Sequence, residues 1–87
     1  MTAGGTEVAV REVLVPRLAS ALGVADSFVT DDLELATLGL SSLEVMEMVY
    51  DAEDRLDVVF PEAALADVTT VGALVGALAA EVERHRA

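Results

Sequence analysis

The stretch Gly39-Leu40-Ser41-Ser42-Leu43-Glu44 reads as a turn running into an amphipathic helix. Ser41 and Glu44 stand in the S-x-x-E spacing of a capping box. The Ser41 hydroxyl can accept from the backbone N–H of residue 44 while the Glu44 carboxylate accepts from the N–H of Ser41. Taking Ser42 as the cap would put Val45 at the third helical position, and valine cannot reciprocate. The spacing therefore commits Ser41 to structure and leaves Ser42 in the first turn with a free hydroxyl. Unpaired N–H groups and the positive end of the helix dipole favour an anionic substituent there, such as a phosphodiester. On this motif alone, a plain helix start is by far the commoner meaning of the two serines.

The helix that follows is predicted from Ser42 to about Leu56. At about 100° per residue, Val45, Met48, Val49, Ala52 and Leu56 gather on one side as a core stripe. Leu43, Met46 and Tyr50 fall together on another side. Glu44, Glu47, Asp51 and Asp54 lie between the two, with Glu53 on the other flank. A second apolar patch edged by carboxylates suits a partner-binding surface. It suits equally a helix buried on both sides by a small bundle.

Outward from this helix the pattern stays helical. A first helix is predicted from Glu7 to Leu22, capped by Thr6 and stopped by Gly23, with Val10, Leu14, Leu18 and Ala21/Leu22 as its stripe. Pro16 inside it should kink it or open one hydrogen bond. Residues 1–5 read as a loose tail. Residues 24–41 lack periodicity; Asp26, Thr30-Asp31-Asp32 and Gly39 mark turns, and Val24, Phe28, Leu33, Leu35 and Leu38 are scattered anchors. So long a connection in a small domain tends to be functional or packed by its own side chains. Pro61 suits the first position of a short helix through about Ala66. Thr69 or Thr70 then caps a last helix, Val71 to about Arg84, with Val71, Leu74, Val75, Leu78 and Val82 as its stripe. Gly72 and Gly76, in G-x-x-x-G spacing, suggest close helix–helix packing. The expectation is one all-α domain over residues 1–87, with three principal helices, one short one, and a long loop between the first two.

Composition narrows the function. Sixteen Asp and Glu face five Arg and no Lys, a formal net charge of −11. Such a surface repels nucleic acid and anionic membranes and attracts basic protein patches. Disorder is excluded by the 54% hydrophobic content and its periodicity. There is no cysteine, and His85 is the single histidine, set in the charged run Glu83-Arg84-His85-Arg86. Serine nucleophilic catalysis lacks its base, no G-x-x-x-x-G-K-[ST] loop occurs, and no EF-hand spacing can be written. No catalytic residue and no metal ligand set is expected. No signal peptide or membrane span is read, and the expected state is a cytoplasmic monomer.

The run Leu38-Gly39-Leu40-Ser41-Ser42-Leu43-Glu44-Val45 resembles the G-x-[DS]-S-L attachment motif of acyl carrier proteins. The similarity continues through the acidic helix to Phe60-Pro61-Glu62. Val68-Thr69-Thr70-Val71 resembles the lead-in to the family's last helix, and Val29-Thr30-Asp31-Asp32 is similar to a turn in its long first loop. The resemblance spans roughly residues 7–83. It implies a four-helix carrier bundle in which Ser42 bears 4′-phosphopantetheine, installed by a phosphopantetheinyl transferase from coenzyme A with magnesium. The arm's thiol would hold an acyl or aminoacyl group as a thioester and move it between loading, condensing or transferring enzymes. The protein would then be a substrate of enzymes rather than an enzyme. Leu43, Glu44, Met46, Glu47, Tyr50, Asp51, Glu53 and Asp54 would form the recognition helix for basic partner surfaces. One departure stands out: Ser41 occupies the place where most fatty-acid carriers have Asp. This tilts the expectation toward a free-standing carrier of a specialised, polyketide-type pathway, with fatty-acid and aminoacyl carriers as alternatives. An unmodified helical adaptor is the rival of a different class.

Overall fold

A computed structural model describes the backbone of residues 2–86 and the side chains of these residues other than 2–4, 42 and 86. Three α-helices, α1 (Thr2–Leu22), α2 (Ser42–Leu56) and α3 (Val71–Arg86), are joined by segments holding the 3-10 turns Asp26–Phe28, Leu35–Leu38 and Glu62–Leu65. No strand occurs among the described residues; Glu34 and Thr70 form one isolated antiparallel bridge. The all-α expectation holds, with the long first connection and the short element before the last helix.

The core lies where the three helical stripes converge. Val10, Leu14 and Leu18 of α1 meet Met48, Val49 and Ala52 of α2 and Val71, Leu74, Val75, Leu78, Ala79 and Val82 of α3. Val58 and Phe60 close it from the loop after α2. Every residue assigned to the α3 stripe is buried. In α2 the ends of the stripe, Val45 and Leu56, are only half-buried, because the helix dips into the core at its centre.

Several details differ from the sequence reading. α1 begins at Thr2, so residues 2–5 are helical rather than a loose tail, while Met1 lies outside the described residues. Thr6 is not a cap but a buried residue inside α1, its hydroxyl donating to the Glu83 carboxylate of α3. Ala19 is buried, whereas Ala21 is exposed and Leu22 half-buried, since the stripe drifts around the helix. Pro16 stays within α1; its missing N–H leaves the Glu12 carbonyl without a helical donor. Pro61 precedes its short helix rather than opening it, with an extended ψ of 148°. Phe28, expected as an anchor, is 60% exposed.

The long loop is held by main-chain bonds to the start of α3. Leu35 N–H donates to Thr69 O at 2.8 Å, Val71 N–H to Leu33 O at 2.9 Å and Gly72 N–H to Asp31 O at 2.9 Å. Thr70 is the cap, its Oγ1 accepting from Ala73 N–H at 3.1 Å. The orphan donors of the first α3 turn are thus satisfied largely by a distant loop. Gly72 marks that close approach: its partner is the Asp31 backbone, not another helix, and nothing lies within 4 Å of a Cβ built on Gly76. The G-x-x-x-G reading is therefore corrected; the two glycines are unrelated in function.

Asp31 is also clamped to α1. Both its carboxylate oxygens accept from Arg11, one of them from Nη2 at 3.0 Å. These hydrogen bonds, with the attraction of the guanidinium, hold the Asp31 carboxyl below the usual carboxylate range. The folded state therefore binds this proton less readily than the unfolded chain, so the clamp's contribution is complete above the ordinary carboxylate pKa and fades as pH falls through and below it. Thermal unfolding of wild type and Arg11→Gln should differ by a constant amount above about pH 5, and the gap should close as pH falls below the ordinary carboxylate range. A gap that persists at the acid end would show that Arg11 acts through something other than the Asp31 charge.

α2 ends at Asp57 in a left-handed conformation, φ 57° and ψ 46°, its N–H bonded to Glu53 O. Aspartate tolerates this region less well than glycine, and its charge opposes the negative end of the helix dipole. Asp57→Gly is expected to stabilise the fold by about 0.5–1 kcal/mol in denaturant unfolding.

Candidate attachment site at the head of α2

Gly39 has φ 74° and ψ 13°, which ends the preceding 3-10 turn and swings the chain toward α2. A β-carbon is disfavoured in this region. Ser41 follows in extended geometry, and both halves of the capping box form. Ser41 Oγ accepts from Glu44 N–H at 3.1 Å, and Glu44 Oε1 accepts from Ser41 N–H at 2.9 Å. Ser41 O also receives the first helical bond, from Val45 N–H at 3.1 Å. The Ser41 side-chain oxygen and main chain are thereby engaged in the cap. Ser42 is the first residue of α2, though its hydroxyl, the predicted attachment atom, lies outside the described side chains. The N–H groups of residues 42 and 43 stand at the open end, where no helical carbonyl can reach them.

Beside this helix head lies a partly open cavity of about 310 Å³. Its lining side chains are all apolar: Leu35, Ala36 and Leu40 from the loop, Val45 and Met46 from α2, Leu65 and Val68 from the second connection, and Leu74 from α3. It exceeds the roughly 150 Å³ that suffices elsewhere to hold a benzene-sized ligand. Hydropathy spacing puts Leu35 among the loop anchors and Val45 in the core stripe, but does not assemble this cavity. Its only sequence signal is the density of apolar residues in segments without periodicity.

The residues expected to recognise partners separate into groups. Leu43 and Tyr50 are exposed, at 68% and 56%. Two-sided burial of α2 is thus excluded at these positions, whereas Met46 turns toward the cavity. Glu47 and Asp54 are exposed carboxylates. Glu44 is exposed but engaged in the capping box. Asp51 is neutralised by Arg55 at 2.9 Å and by Arg17 of α1 at 3.6 Å. Glu53 serves the fold instead, since its Oε2 accepts from Phe60 N–H at 2.7 Å and secures the loop that closes the core.

Other chemistries find no support. His85 is exposed, with Nδ1 2.9 Å from Glu81 O. Among the described residues, no group of three or more His, Asp or Glu could hold a metal ion, and no helix is long and apolar enough to cross a membrane.

A family model described as "Phosphopantetheine attachment site" matches residues 12–78. The chain belongs to this family. The match spans α2 whole, with the second half of α1, both connections and the first half of α3. The cofactor of this carrier is accordingly 4′-phosphopantetheine, attached covalently, and a phosphopantetheinyl transferase and cargo-handling enzymes are its general partners. No curated protein matches the chain. The local structure fits the group: the head of α2 supplies a positive dipole end for a phosphodiester, and the adjoining apolar cavity offers room for what the arm bears.

Proposed function

We propose that Ser42 is the attachment residue and that the protein carries acyl groups as thioesters between biosynthetic enzymes without catalysing a step itself. The observation that carries this reading is the complete capping box at the head of α2. It withdraws Ser41 from chemistry and leaves residue 42 as the serine at the positive helix end. When attached, the arm supplies a thiol, a group the chain has nowhere in its own sequence.

Partner enzymes are proposed to meet α2 through Leu43 and Tyr50, steered by Glu47 and Asp54, with Glu44 adding charge. Asp51 and Glu53 contribute less, being held by their own chain. Contacts of this kind are fast, weak and salt-sensitive, as a carrier visiting several enzymes requires. The serine at position 41 supports a specialised, polyketide-type pathway over primary fatty-acid synthesis.

The test is intact-protein mass spectrometry after incubation with coenzyme A, magnesium and a promiscuous phosphopantetheinyl transferase. One adduct, present on wild type and Ser41→Ala but lost from Ser42→Ala, is the expected result. An adduct that survives Ser42→Ala would overturn the assignment.

A further inference from the structure

α1 is apolar over more of its circumference than the core uses. Val10, Leu14 and Leu18 face inward, yet Val8 is 54% exposed; Val15 is half-buried and Pro16 exposed. A helix apolar beyond one face is ordinarily covered on more than one side. Here the uncovered flank adjoins the 3-10 turn Asp26–Phe28, and together they form a shallow groove of about 360 Å³. It is lined by Val8, Arg11, Glu12, Val15, Pro16 and Asp26. Val8 lies about 180° around α1 from Arg17, nine residues away at about 100° each. Arg17 is the residue that reaches Asp51 on α2, so the groove faces away from α2.

The charge of the groove selects its occupant. Arg11 is its one cation, and Asp31 already occupies both terminal nitrogens of that guanidinium. Glu12 and Asp26 are exposed, and among the described residues neither is held in an ion pair. An apolar floor with an anionic rim is complementary to a basic amphipathic segment. A second copy of the chain is a poor match, since each copy carries a net charge of −11 and would bring the same acidic rim.

We propose that this groove is a second docking surface, which takes a basic amphipathic segment of a partner protein. Apolar side chains would lie against Val8 and Val15, and Lys or Arg would reach the Glu12 and Asp26 carboxylates. A partner held there leaves α2 free, so one enzyme can retain the protein at high effective concentration while others meet its α2 face.

The experiment uses two synthetic helical peptides of about five turns with the same leucine face, one with a lysine and one with a glutamate polar face. Each is titrated into the ¹⁵N-labelled full chain while amide shifts are followed. The lysine peptide should shift Val8, Glu12, Val15 and residues 26–28, and the glutamate peptide should not. The exposed double variant Glu12→Lys/Asp26→Lys should weaken lysine-peptide binding at the groove about tenfold, whereas the charge-matched Glu62→Lys/Asp67→Lys, outside both surfaces, should leave groove binding unchanged. Thermal unfolding verifies that each variant is folded, and Ser42→Ala should bind as wild type, which separates this outcome from that of phosphopantetheine attachment. Shifts confined to α2, equal binding of both peptides, or no effect of the groove variant would overturn the proposal. So would a concentration-dependent dimer that Val8→Lys abolishes, which would assign the groove to a second copy.

Discussion

Ser42→Ala is expected to yield a chain that folds normally and accepts no phosphopantetheine. The loss is expected to be complete, the oxygen of the neighbouring Ser41 being held in the helix cap. Ser41 Oγ accepts from Glu44 N–H at 3.1 Å, and its backbone N–H is held by Glu44. Residue 42, in contrast, is the first position of the helix, where alanine is well tolerated and unfolding should change by less than about 0.5 kcal/mol. Ser41→Ala should do the reverse. It retains the hydroxyl at position 42 and loses the cap, costing about 1 kcal/mol and lowering the unfolding midpoint by roughly 4–8 °C for a domain of this size. Mass spectrometry and thermal unfolding on the two variants separate chemistry from architecture. If both serines proved necessary for attachment, the division of labour between them would be wrong.

Gly72→Ala and Gly76→Ala are expected to shift stability in opposite directions. A Cβ on Gly72 would lie 2.9 Å from Asp31 Cβ and 3.1 Å from Asp31 O. The obstacle is backbone and the root of a side chain, and that same oxygen accepts from Gly72 N–H. Relief requires the loop to move, which stretches this bond and disturbs the Arg11 clamp on Asp31. Overpacking of this kind costs about 1–3 kcal/mol. That outweighs the helix-propensity gain of up to about 1 kcal/mol, which is smaller still in a first turn. Gly76 has open space around it in the middle of α3, so alanine there should stabilise by about 0.5–1 kcal/mol. Urea unfolding of the pair reads the sign directly. Stabilisation by both would show that the loop yields freely at Asp31.

Because Asp31 joins Arg11 of α1 to Gly72 of α3, these variants also probe the cavity indirectly. The loop it anchors supplies Leu35, Ala36 and Leu40 to the cavity wall. Loosening the anchor should alter the space beside α2 without touching α2 itself. Ser42 would still be available for attachment in such a variant, so any change in how cargo is held can be read apart from loading.

The capping box, the bounds of α2, the α3 stripe and the position of Ser42 are all legible in the order of the residues. Each depends on residues within about one or two helical turns of one another, and such interactions show in spacing. The acidity that shapes the exposed face of α2 is likewise a property of composition. What depends on distant parts of the chain meeting is legible only in the folded molecule. Thr6 has the place of a cap in sequence, yet it bridges to Glu83. The helical wheel sets Asp51 on the acidic face and Glu53 on the other flank, yet Arg17 and Arg55 claim the first and Phe60 the second. Gly72 and Gly76 share a motif in sequence, but the loop passes only one of them. The apolar cavity draws its walls from four segments, and no periodicity within a single segment encodes where non-local surfaces meet.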